Sequence, residues 1–187
     1  YIPSKEQMNL TEYYGQPAEG EMVLVLGTDI MEERALKSGD QIYLPQDIVS
    51  TYLNQRYYWD SGNQQILYAT PSSLEKFPAS EAGDGEVWVR DGKVYLSLSL
   101  VQKYTDLDFY EYQEPARVVI RHEFTGVNVA TVKKDTSIRY RGGIKSPVLT
   151  EVKKGDTLIY MQALEDWVQV STMDGYIGYV QKKVLSD

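Results

Sequence analysis

Gln41-Ile42-Tyr43-Leu44-Pro45 is followed 52 residues later by Lys93-Val94-Tyr95-Leu96-Ser97, and the match continues without a gap. Ile48, Val49 and Tyr52 correspond to Leu100, Val101 and Tyr104; Tyr57 and Tyr58 to Phe109 and Tyr110; Ile66 and Leu67 to Val118 and Val119. A fixed offset of this kind is the mark of an internal repeat, one supersecondary unit used twice. Each copy reads as a hairpin, a short helix and a second hairpin. Strands over 35–37 and 41–44 flank the turn Ser38-Gly39-Asp40, and strands over 87–89 and 93–96 flank Arg90-Asp91-Gly92. Pro45 and Ser97 then stand at matching places, one suited to a first helical residue and the other to an N-cap. The stripe Ile48, Val49, Tyr52, Leu53 has helical spacing and is expected to face a sheet. One copy is too small to bury much, so the two are expected to share a core.

Outside the repeat the pattern changes. Residues 1–21 are polar and carry Pro3, Gly15, Pro17 and Gly20, which reads as a linker into a strand over 22–26. After Gly126 come short strands over 129–132, 157–163, 167–172 and 176–180, with turns at Lys153-Lys154-Gly155-Asp156, Leu164-Glu165-Asp166 and Met173-Asp174-Gly175. This predicts a small antiparallel barrel with a long excursion between Asp135 and Pro147. The expected fold class is a duplicated α+β domain over 22–125, with repeats at about 35–70 and 87–122, followed by an all-β barrel over 126–187.

The formal charge of −8 is unevenly spread. Residues 1–125 hold 10 Lys+Arg against 20 Asp+Glu, and 126–187 hold 9 against 7. So acidic a first part is repelled by phosphate backbones, and nucleic acid is not an expected partner. With no Cys and one His, thiol catalysis and a closed transition-metal site lack their ligands, so no cofactor or metal is expected. The chain starts at Tyr1 without a basic and apolar leader, so any targeting segment or membrane anchor is expected upstream.

Two resemblances rest on particular residues. Ser137-Ile138-Arg139, Ser146-Pro147-Val148, the Lys153-Lys154-Gly155-Asp156 turn, Trp167-Val168-Gln169-Val170 and Gly175-Tyr176-Ile177-Gly178-Tyr179-Val180 together resemble the bacterial SH3 domains of cell-wall hydrolases. The family often has Ser-Gly-Pro-Ser after the Arg, where this chain has Tyr140-Arg141-Gly142-Gly143. The repeat, with Ile42-Tyr43-Leu44-Pro45 turning into a helix, is similar to the copper amine oxidase N-terminal-like domain, which serves bacterial surface proteins as a stalk. The order of the two is similar to the N-terminal part of secreted or membrane-anchored family 18 glycoside hydrolases. That resemblance implies an extracytoplasmic protein whose catalytic domain follows this chain, and a spacer and wall-targeting role for the chain itself. The alternative is an inert stalk that only positions that domain.

For chemistry within the chain, Asp106, Asp108 and Glu111 are the one suggestive carboxylate cluster, and they read as a solvated loop rather than an acid and nucleophile pair. Among Tyr57, Tyr58 and Trp59, alternation puts two rings on one face of a strand and one on the other. In the barrel, Tyr140, Trp167, Tyr176 and Tyr179 fall where SH3-like folds place an aromatic groove for extended chains. Arg139, Arg141 and Lys145 could add charge complementarity toward the peptide carboxylates of peptidoglycan. No catalytic residue is assigned.

Overall fold

The computed structural model describes residues 2–122 and 128–186. A short helix, α1 (Leu10–Tyr14), precedes β1 (Glu21–Leu26), β2 (Asp29–Ile30), β3 (Ala35–Ser38) and β4 (Gln41–Pro45). Helix α2 (Gln46–Ile48) widens into a π turn over Val49–Leu53, and β5 (Tyr57–Asp60), β6 (Gln65–Ala69) and β7 (Leu74–Ser80) follow. Then come β8 (Val87–Arg90), β9 (Lys93–Ser97), α3 (Leu98–Tyr104), β10 (Asp108–Tyr112) and β11 (Arg117–Arg121). The barrel holds β12 (Asn128–Val132), β13 (Thr136–Arg139), β14 (Val148–Val152), β15 (Thr157–Ala163), β16 (Trp167–Ser171), β17 (Ile177–Gln181) and β18 (Leu185–Ser186). The protein is mostly β, 48% strand against 13% helix, so the helical share expected from an α+β fold is small.

One sheet runs β10-β11-β1-β3-β4-β9-β8-β7-β6-β5, with β2 beside β1. At its centre β4 and β9 pair antiparallel, and Leu44 lies opposite Leu96, the residue 52 positions further on. Outward from this pair, β3 and β8, β6 and β11, and β5 and β10 take matching places. The outer hairpins are exchanged: β5 and β6 join the side built from β7–β9, while β10 and β11 join β1 and β3. Each half therefore completes the other's sheet, and one core cluster includes Leu24, Leu44, Tyr57, Ile66, Leu96, Leu100 and Ile120.

The two helices differ in detail. The Ser97 hydroxyl accepts from Leu100 N at 3.1 Å and caps α3, whereas Pro45 ends β4 and offers no side-chain cap. Tyr104 packs face to face on Tyr68, centroids 3.9 Å apart. Its counterpart Tyr52, expected on the buried stripe, is exposed. The π turn holds more residues per turn than an α-helix and rotates Tyr52 off the apolar side.

The barrel sheet runs β14-β13-β17-β16-β15-β12-β18. The expected excursion from Asp135 to Pro147 is in part strand: β13 pairs with β14 and β17, and Ile138 is fully buried. Residues 2–21, read above as a linker, are instead strapped onto the barrel. Ser4 N donates to Ile144 O, Val148 N to Glu6 O, and Met8 N to Val148 O, so Gln7 bridges Val148 as a short parallel strand. Asn9 then caps α1, accepting from Glu12 N, and Tyr14 is buried. Dispersed polar composition hid residues 2–8 because their attachment is through main-chain groups, which carry no side-chain signal.

Strap, barrel and first sheet meet in a second core. Val23, Val25 and Val119, on the face of β1 and β11 opposite the first core, pack with Tyr14, Ile138, Leu149, Val168, Tyr176 and Val180. All five residues of β11 are buried, as a strand covered on both faces must be. The boundary expected at 125/126 lies outside the described residues.

Candidate ligand-binding cleft on the barrel

Alternation sorts the side chains of β16 and β17. Val168, Val170 and Val180 point into the barrel, and Trp167, Gln169, Tyr179 and Gln181 point out. Gly178 occurs in β17 because a Cβ there would stand 2.6 Å from Arg139 O, closer than any side chain allows. That approach brings β13 against β17 and sets Arg139 beside the outward face.

The strap and the 140–147 loop turn this face into a cleft of 310 Å³, lined among others by Pro3, Arg139, Ile144, Glu151, Trp167 and Gln181. Arg139 is 6% exposed, and its Nη1 donates to Ser4 O at 2.9 Å and Ser146 O at 2.7 Å. Among the described residues no carboxylate pairs with it. Its guanidinium is held in place by carbonyls next to a half-buried indole, and Asp135 and Glu151 line the same cleft without forming an ion pair with it. Gly142 lets the loop close on that indole, since a Cβ there would lie 3.2 Å from Trp167 Cγ. A guanidinium fixed beside an aromatic face suits a ligand with a carboxylate and a flat or apolar flank.

The other expected groove residues lie elsewhere. Tyr140 carries the Arg141 guanidinium over its ring at 4.1 Å, and Arg141 is exposed. Lys145 Nζ donates to Ile2 O at 3.2 Å, which ties it to the strap. Tyr179 is partly buried on the outer face, opposite Gln169 and Arg139, and does not line the cleft. Tyr176 is 8% exposed and faces the first sheet, with Arg117 over its ring at 5.1 Å. Arg117 also lies over Tyr14 and Tyr112, and its Nε donates to Asp174 O at 2.9 Å.

Tyr13 of the strap stands between Tyr140 and Tyr176, at 6.1 and 6.4 Å between centroids. The aromatic groove expected of these two rings is thus filled by the chain itself. Sequence reading missed Tyr13, although Leu10, Tyr13 and Tyr14 have the i, i+3, i+4 spacing of a docking helix face after an Asn cap.

The carboxylate cluster converges only in part. Glu111 pairs with Lys37, and Asp108 and Glu111 lie three apart on β10, hence on opposite faces. Asp106 and Asp108 line one polar cleft with Asn54 and His122, and Glu111 does not reach it. Tyr57 is fully buried and donates to Leu100 O and Val101 O, while Tyr58 is exposed.

Compared with protein families, the chain matches the Bacterial SH3 domain over residues 134–186, the stretch that holds β13 to β18. Residues 134–186 are a bacterial SH3 domain. Such domains are commonly cell-wall binding. The SH3 domain here supplies Arg139 and Trp167 to the cleft, while Pro3 comes from the strap outside the matched stretch. Neither the curated proteins nor the solved structures gave a match to the chain.

Proposed function

We propose that this chain is the non-catalytic wall-binding and spacer part of a larger extracytoplasmic protein, with the SH3 domain binding the peptide of peptidoglycan in the Trp167 and Arg139 cleft. The family of residues 134–186 supports the wall as the partner. The Arg139 guanidinium, held by two carbonyls and without an ion pair among the described residues, beside the half-buried Trp167 indole carries the choice of site. A stem peptide offers a carboxylate for the guanidinium, in competition with Asp135 and Glu151 of the cleft wall, and a flat amide backbone for the ring. The first domain, whose 52-residue repeat we read as a duplicated stalk, holds the next module away; a family 18 hydrolase domain in the same protein is part of this proposal. Asp106 and Asp108 share a cleft, but Glu111 lies on the opposite face of β10 from Asp108 and pairs with Lys37, which supports a binding rather than a hydrolytic role.

One observation favours the second reading, an inert stalk: Tyr13 fills the space between Tyr140 and Tyr176, and the SH3 domain is packed on β1 and β11. Calorimetric titration with soluble disaccharide-peptide fragments of peptidoglycan separates the two. Binding that Trp167→Ala weakens at least tenfold supports the cleft; no heat with the intact chain leaves the stalk.

A further inference from the structure

The end of the SH3 domain next to the cleft is built from three turns. Residues 133–135 link β12 to β13, residues 153–156 link β14 to β15, and Lys182–Val184 form a 3-10 turn after β17. Main-chain bonds tie them together: Lys133 N donates to Val184 O, Val132 N to Asp156 O, and Gly155 N to Val132 O. Each turn carries a pair of lysines, Lys133-Lys134, Lys153-Lys154 and Lys182-Lys183, and all six are exposed.

Three carboxylates stand among them. Asp135 accepts from Lys154 N and pairs with Lys153 at 3.7 Å, and these contacts hold its pKa below the ordinary value, with the Lys154 N–H the largest cause. Asp156 accepts from Lys153 N, and Asp166 sits beside Lys182, whose N–H donates to its carbonyl. Six ammonium groups against these three and the exposed Glu165 next to Asp166 leave a surplus of two positive charges on a chain whose net charge is −8. The surface continues into the cleft: Gln181 lines both the cleft and an adjoining depression of 520 Å³ bordered by Lys182 and Lys183.

We infer that this six-lysine end binds a linear phosphodiester polymer of the cell wall, as a second contact beside the Trp167 cleft. The inference deepens the wall-directed reading and rests on it for the source of the polymer. Three features select the ligand. Ammonium groups are compact point charges on flexible stems, suited to phosphates spaced along a mobile chain and not to one bidentate anion. The turns expose no apolar or aromatic side chain, so there is nothing to enter a lipid layer and no platform for stacking nucleic-acid bases. The opposite sign of the remaining surface orients the chain, with the lysine end toward the polyanion.

The test uses the full chain and poly(glycerol phosphate), with binding measured at about 50 mM salt, where the screening length is still above about 10 Å. Lys134→Glu/Lys154→Glu/Lys183→Glu reverses one charge in each turn, at side chains with no ion pair among the described residues. It is expected to lose at least tenfold in affinity. Lys5→Glu/Arg56→Glu/Lys76→Glu changes net charge equally at exposed sites elsewhere and is expected to lose less than threefold. Trp167→Ala is expected to keep polymer binding, so failure of the cleft and failure of the lysine surface are read separately. Three results would overturn the inference: no binding of the polymer by the intact chain, equal losses in the two triple variants, or binding to phosphatidylglycerol vesicles without binding to the polymer.

Discussion

Tyr13 and Ile177, 164 residues apart, bond each other twice: the Tyr13 hydroxyl donates to Ile177 O at 2.7 Å and accepts from Ile177 N at 2.8 Å. Next to it the Tyr14 hydroxyl donates to Gly175 O at 2.7 Å. Two consecutive tyrosines thus satisfy the backbone at the start of β17 and fix the strap on both the SH3 domain and the first sheet. The strap is part of the fold, which makes it a place to test the structure.

Removing the Tyr13 hydroxyl leaves a donor and an acceptor on Ile177 without partners. Tyr13→Phe is expected to cost about 1–3 kcal/mol in denaturant unfolding, the penalty for burying unpaired polar groups. Tyr14→Ala removes a ring from the second core and is expected to cost more, about 3–5 kcal/mol. A chain whose stability is untouched by both would show the strap to be undocked in solution.

Burial pushes the Tyr13 hydroxyl from 10.0 up to about 12, and it pushes Tyr14 and Tyr176 up as well. These groups fold as neutral phenols. Their contribution to stability is therefore fully present below pH 10 and is lost as the pH rises from about 10 through 12, where the unfolded chain ionises first. Unfolding free energy is expected to be level in these tyrosines up to pH 10 and to fall beyond it, with a shallower fall in Tyr13→Phe. A profile that stays flat to pH 12 would contradict the burial.

Gly178 is expected to be irreplaceable for a packing reason. The added methyl of Gly178→Ala meets the Arg139 carbonyl at 2.6 Å and must push β13 and β17 apart, at about 1–3 kcal/mol or more. Because the Arg139 side chain rises from that contact, ligand binding in the cleft should weaken along with stability. Unchanged melting of the variant would mean that the two strands are further apart than 2.6 Å implies.

The second core draws Val23, Val25 and Val119 from one domain and Tyr176, Val168 and Leu149 from the other. Calorimetry of the whole chain should therefore show one transition, and residues 127–187 alone should melt less cooperatively than they do in the chain. Two resolved transitions would contradict the shared core.

How far the sequence reached can be judged from particular residues. Leu44 and Leu96 were legible as equivalents because apolar order repeats along the chain, but nothing local says that β4 and β9 would lie side by side or that the outer hairpins would change places. Ile138 was lost inside a presumed loop because the strand around it is only four residues long and rich in polar side chains. Arg139 and Trp167 do share a cleft, whereas Tyr176 turns inward onto Arg117, since which face of β17 is covered depends on the first domain, far away in sequence. The six lysines were visible only as scattered pairs until the three turns were brought together.

The central claim is that the SH3 domain holds this chain to the wall through the Trp167 cleft. Co-sedimentation of the full chain with purified Gram-positive sacculi, stripped of phosphodiester polymers by hydrofluoric acid, tests it most directly. The intact chain is expected in the pellet at moderate salt and at about 1 M, where the screening length is only about 3 Å, and Trp167→Ala in the supernatant. An intact chain that stays in the supernatant, or a Trp167→Ala variant that pellets equally well, would contradict the account.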